Sequence, residues 1–122
     1  VNETDGALAI STHPSPAGPV VLRLAGELDH YTGPDLRQAV EDLLRTPGGP
    51  GIVADLSGLD YCDSTGITVI ITAFHRAQAM GSSFSVGGLS PAMSQLFRVA
   101  GLDQIFVLHP SVQEAVDALG GD

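Results

Sequence analysis

Apolar residues along this chain switch repeatedly between a two-residue and a helical rhythm. Val20-Val21-Leu22-Arg23-Leu24-Ala25 reads as a strand stopped by Gly26. Ala7 to Ser11 reads as a shorter strand before it, and the Pro/Gly-rich turn from His13 to Pro19 makes the two an antiparallel pair. Leu36, Ala39, Val40, Leu43 and Leu44 then recur at helical spacing and form one apolar stripe. Thr32 or Gly33 is positioned to cap that helix, Pro34 fits its first turn and Asp35 suits its dipole. Thr46-Pro47-Gly48-Gly49-Pro50-Gly51 ends it.

The same alternation continues to the end. Ile52 to Leu56 predicts a strand, and Ile67 to Met80 a helix that buries Ile67, Ile70, Ile71, Phe74 and Ala77, with Gly81 just past its end. Ser83 to Val86 is a short strand. Ser90-Pro91 opens a helix whose stripe is Met93, Leu96, Phe97 and Ala100, and Gly101 stops it. Ile105 to Leu108 is a continuous apolar run, as expected of a strand covered on both faces. Pro110-Ser111, with Glu114 three residues after the serine, opens a last helix of Val112, Ala115, Val116 and Leu119. Strands alternating with helices predict an α/β fold: a mixed, mostly parallel sheet with an antiparallel first pair and about four helices. Neither a linker nor a repeat interrupts it, so one domain is expected over 1–122, with its core at about 8–119.

Charge narrows the function. The formal net charge of the 122 residues is -9, and the only cationic side chains are Arg23, Arg37, Arg45, Arg76 and Arg98. No basic stripe is available for phosphate backbones, which argues against nucleic-acid binding, and an acidic surface favours a basic protein partner. Without lysine a Gly-x-x-x-x-Gly-Lys-Ser/Thr phosphate loop is impossible. Cys62 is the single cysteine and fits a reducing compartment. Glu3 and Asp5 stand where a secretory signal would be basic, and the apolar stretch from Ile67 to Phe74 is too short to span a bilayer. A cytoplasmic protein without direct membrane insertion is expected.

The most informative chemistry lies in Leu59-Asp60-Tyr61-Cys62-Asp63-Ser64-Thr65-Gly66-Ile67, between a strand and a helix. It puts the Ser64 hydroxyl at or near a helix N-terminus, where unpaired N–H groups and the helix dipole tolerate phosphate. On position alone the commoner role of a serine before a helix is that of the cap. A small serine hydrolase is the weakest reading: the strand–turn–helix setting resembles a nucleophile elbow, but Gly-x-Ser-x-Gly is absent, with Cys62 in the place of its first glycine. Glu27, Asp29, Asp55, Asp60 and Asp63 make the loop-side surface acidic, without the ligand spacing of a metal loop. His13, His30, His75 and His109 are scattered, so no metal and no cofactor is expected. Cys62 reads as a small apolar residue packed beneath the loop.

Three stretches together resemble the STAS domain, and within it the bacterial anti-sigma factor antagonists. Gly26-Glu27-Leu28-Asp29-His30-Tyr31-Thr32 resembles the family's segment after the second strand. Asp55 to Ile67 resembles its phosphorylation loop, with the core Asp63-Ser64-Thr65-Gly66. Leu96-Phe97-Arg98-Val99-Ala100-Gly101-Leu102 resembles its late helix and exit. The resemblance runs from about Leu8 to Leu119. It implies a non-enzymatic regulator of transcription that, unphosphorylated, binds an anti-sigma factor serine kinase and so releases a sigma factor. Phosphorylation of Ser64, or alternatively of the neighbouring Thr65, would switch it off, and a phosphatase would reset it. The implied partner-binding residues are Glu27, Asp29, His30, Thr32, Asp63, Ser64, Thr65, Gly66 and Ile67. The alternative implied role is a non-switching STAS scaffold or accessory subunit in a larger regulatory or membrane-transport complex.

Overall fold

The computed structural model describes residues 7–120, so the acidic positions Glu3 and Asp5 lie outside the described residues. Five strands form one sheet in chain order: β1 (Leu8–Pro14), β2 (Val20–Leu28), β3 (Ile52–Cys62), β4 (Phe84–Gly87) and β5 (Leu108–His109). β1 runs antiparallel to β2, and every later pair is parallel. Helices α1 (Gly33–Leu43), α2 (Ser64–Ala79) and α3 (Pro91–Val99) connect successive parallel strands, and α4 (Val112–Gly120) follows β5. This is the mixed sheet with four α-helices that the alternating pattern predicts, plus a short 3-10 turn at Leu102–Gln104.

The period-two rhythm of β3 divides the core. Ile52, Ala54 and Leu56 join Leu22, Leu24, Leu36, Val40, Ile70 and Phe97 in one large cluster built with α1, α2 and α3. Val53, between them, points the other way and packs with Ala115 and Val116 of α4. Three helices therefore cover one face, and a single helix covers part of the other.

Several elements depart from the sequence expectation. Gly26 does not end β2. It sits inside the strand with φ +116, where a Cβ would collide with the Ala7 carbonyl oxygen, and the register of β2 against β3 shifts beside it. β-Bulges of this kind let both strands continue, so β2 reaches Leu28 and β3 runs past Leu56 to Cys62. Helix α2 begins at Ser64, one turn before Ile67. Along it Ile67, Ile71 and Phe74 are half-buried, whereas Val69, Ile70, Ala73 and Ala77 are buried. In α3, Met93 and Phe97 are buried but Leu96 and Ala100 are exposed.

The run Ile105 to Leu108 is not a four-residue strand. The chain turns through the 3-10 segment, and Phe106 plugs the core against Phe74 and Phe84, with ring centroids 5.3 and 6.4 Å apart. Val107 is left 65% exposed, and only Leu108 and His109 pair with β4.

Candidate functional site

The paired C-terminal ends of β2 and β3 bring two loops together. Glu27 stands opposite Tyr61, and Leu28 opposite Cys62. The Asp63 N–H donates to the Leu28 carbonyl at 3.2 Å, which extends this contact to the doorstep of α2.

The loop from β2 to α1 is closed on itself. The Thr32 hydroxyl donates to the Glu27 carbonyl at 2.8 Å and accepts from the Asp29 N–H at 2.9 Å. In return, one Asp29 carboxylate oxygen accepts from the Tyr31 N–H at 2.9 Å and the Thr32 N–H at 3.1 Å. The Thr32 backbone N–H is the main cause holding the Asp29 carboxyl below its ordinary range, with Tyr31 adding to it and desolvation opposing. Thr32 occupies the N-cap position of α1 but its side chain makes no cap bond, because it is directed back at Glu27. Sequence reasoning gave it a capping role; the buried position of the hydroxyl explains the difference.

The junction from β3 to α2 is built differently. Asp63, not Ser64, is the N-cap: its carboxylate accepts the Gly66 N–H at 2.9 Å, and its carbonyl accepts the Ile67 N–H at 3.0 Å. Ser64 is thereby placed as the first helical residue, exposed. Its carbonyl accepts the Thr68 hydroxyl at 3.0 Å, and its own hydroxyl has no partner among the described residues. Thr65 beside it is exposed as well. Gly66 is the wedge that lets α2 start here. A Cβ on it would lie 2.7 Å from the Leu28 carbonyl oxygen and 2.8 Å from both the Cys62 sulfur and Leu28 Cγ.

Cys62 is buried under this contact. Burial, with the Asp63 charge adding to it, pushes its thiol up to about 12, so it stays protonated at neutral pH and packs as a small apolar group.

The structure thus brings Glu27, Asp29, His30 and Thr32 to the same end of the sheet as Asp63, Ser64, Thr65, Gly66 and Ile67. A Cβ on Gly33, at the start of α1, would stand 3.2 Å from Val69 and 3.9 Å from Thr65, so the two helix starts touch. Their side chains are not equally available. His30, Ser64 and Thr65 are exposed, Glu27, Asp29, Asp63 and Ile67 are half-buried, and Thr32 and Gly66 are buried.

Two residues were missed as surface features. Tyr31 is 78% exposed and rests on His30 with centroids 4.0 Å apart, while Tyr61 is half exposed beside Glu27. They are the only tyrosines of the chain. An aromatic next to acidic residues, in the β2–α1 loop for Tyr31 and near the end of β3 for Tyr61, was the signal available, since tyrosine is enriched where proteins meet. No arginine lies in either loop, so Glu27, Asp29, Asp60 and Asp63 leave this end acidic. Among the described residues no group of three or more His, Cys, Asp or Glu is arranged to hold a metal ion. No helix there is long and apolar enough to cross a membrane.

The exposed serine that opens α2 thus stands at the same end of the α/β domain as the β2–α1 loop. The family described as "Mlab, STAS domain" matches residues 11–110, and the chain belongs to the STAS domain family. It is 35% identical over 82 residues to a protein named anti-sigma-B factor antagonist from Listeria monocytogenes, covering 67% of this chain and 71% of that one. It is 28% identical over 102 residues to one named anti-sigma F factor antagonist from Paenibacillus polymyxa, covering 84% and 87%. The crystal structure of an anti-sigma factor antagonist from Mycobacterium paratuberculosis superposes with a TM-score of 0.81 at 25% identity, over 93% of this chain and 95% of that one.

Proposed function

We propose that this chain is an anti-sigma factor antagonist whose acidic end binds an anti-sigma factor, and that phosphorylation of Ser64 by that partner, a serine kinase, ends the binding. The supporting observation is the placement of Ser64: exposed, first in α2, its hydroxyl without a partner among the described residues because Asp63 performs the capping. The protein carries out no catalysis of its own. It acts in the cytoplasm by occupying the anti-sigma factor and freeing the sigma factor, and a phosphatase restores it.

Magnitudes decide how the switch acts. A phosphate at a helix N-terminus gains about 0.3–1 kcal/mol from the dipole, and the adjacent Asp63 carboxylate opposes it by a comparable amount. The fold barely responds. At an interface, adding about -1.5 to -2 charges where a neutral hydroxyl was buried costs several kcal/mol. A cost of roughly 3–4 kcal/mol corresponds to a several-hundredfold loss of affinity.

The test is intact-mass and fragment analysis after incubation with ATP and the cognate anti-sigma factor, alongside Ser64→Ala. One phosphoryl group on Ser64, absent from the variant, supports the reading. Phosphate on Thr65 moves the switch by one residue. No modification by the partner returns the chain to a non-switching scaffold role.

A further inference from the structure

The two edges of the sheet are protected very unequally. β5 exposes only two residues, the shortness by which an edge avoids pairing with another chain. β1, at the opposite edge, has seven residues, Leu-Ala-Ile-Ser-Thr-His-Pro, with no charged Lys, Arg, Asp or Glu, and pairs with β2 without a register shift.

The ladder fixes which backbone groups face outward. The Glu27 N–H donates to the Ala7 carbonyl at 3.2 Å, and the Ser15 N–H donates to the Pro19 carbonyl at 3.1 Å. Both pairs continue the β1–β2 register, so odd-numbered β1 residues occupy the hydrogen-bonded pairs. The N–H and C=O groups of Leu8, Ile10 and Thr12 therefore point to the open edge. Beside them runs an open groove of about 570 Å³ between β1 and α1. Ile10, Ala39 and Leu43 give it half-buried apolar walls, while Asp35, Gln38 and Asp42 are exposed along it. Asp42 is held by Arg45 at 2.6 Å, and Asp35 has no ion-pair partner among the described residues.

We propose that the β1 edge and this groove form a strand-addition site for an extended segment of a different protein, one whose groove-facing residues, every second along it, are apolar and basic. Main-chain bonds to Leu8, Ile10 and Thr12 would carry the segment. Its apolar side chains would rest on Ile10, Ala39 and Leu43, and a basic one would meet Asp35. Charge favours this occupant over a second copy, which would bring a further net charge of -9 and a second pair of groove carboxylates to the same place. The site is independent of Ser64.

The experiment uses the full chain and two blocked heptapeptides, Thr-Val-Thr-Val-Thr-Arg-Thr and its counterpart with glutamate in place of arginine, whose valines and charged residue share one face of the strand. Backbone amide shifts and hydrogen exchange are followed at each β1 residue. The arginine peptide should slow exchange at Leu8, Ile10 and Thr12 and leave Ala9 and Ser11 unchanged; the glutamate peptide should do neither. Thr12→Pro removes an outward donor without touching the β2 ladder, and should weaken the arginine peptide about fivefold, the worth of one main-chain hydrogen bond. Asp35→Arg, on the exposed side of α1, should reduce the preference between the peptides. Absence of protection at β1, or equal protection by both peptides, would overturn the proposal. So would concentration-dependent dimerisation protecting the same amides without peptide.

Discussion

The loop between β2 and α1 and the junction between β3 and α2 lie side by side, yet use their polar groups in opposite ways. In the first, the Asp29 carboxylate and the Thr32 hydroxyl are engaged with the loop's own backbone, which fixes its shape. In the second, a single carboxylate, that of Asp63, satisfies the helix start, and the hydroxyls of Ser64 and Thr65 stay at the surface. One loop is a frame and the other is a presentation. A residue can therefore resemble a recognition position and still serve as internal scaffolding, as Thr32 does.

Removing the contact that joins the two regions is the strongest way to break this comparison. In Gly66→Ala the new methyl meets the Leu28 carbonyl and the Cys62 sulfur well inside van der Waals distance, so α2 has to shift away from β2. Overpacking of this kind costs about 1–3 kcal/mol, measurable as a lower urea midpoint with an unchanged slope. Ser64→Ala, a few ångströms of chain away, should move that midpoint by less than about 0.5 kcal/mol.

Thr32→Val tests the frame with a smaller perturbation. It preserves the buried volume and removes the hydroxyl's bonds to the Asp29 N–H, the Glu27 carbonyl and, at 3.3 Å, the Asp29 carboxylate, leaving the Asp29 N–H and the Glu27 carbonyl short of a partner. A loss of about 1–2 kcal/mol is expected in the same denaturation experiment.

The mildest probe is pH. The Asp29 carboxyl is depressed in the folded protein, so its contribution is present above the ordinary carboxyl value of about 3.9 and fades as pH falls through the folded value. Stability measured from pH 5 downward should therefore fall less steeply in Asp29→Asn than in the wild type. An unchanged slope would detach Asp29 from the frame.

Much of this organisation is legible in the sequence, and the exceptions have physical causes. The stripes of α1 and α4 and the Ser90 cap of α3 appear where periodicity and capping rules put them, because local pattern and tertiary packing agree. The lengths of β2 and β3 were hidden because Gly26 reads as a terminator, whereas here it makes a bulge that only the neighbouring strand reveals. The apolar run before Leu108 is ambiguous between strand and core plug, and the aromatic partners Phe74 and Phe84 that settle it are distant in sequence. At the site, the Asp-Ser-Thr-Gly order pointed to the serine. That Asp63 rather than Ser64 caps α2 depends on one hydrogen bond that composition does not encode.

The central claim is that modification of Ser64 acts on the interface and leaves the fold alone. Its most direct test is a calorimetric titration of the cognate anti-sigma factor with the unmodified and the Ser64-phosphorylated protein, paired with thermal unfolding of each. The account predicts a several-hundredfold weaker Kd for the phosphorylated form with unfolding profiles that nearly coincide. Equal affinities, or a phosphorylated protein that binds poorly because it has lost its folded structure, would contradict it.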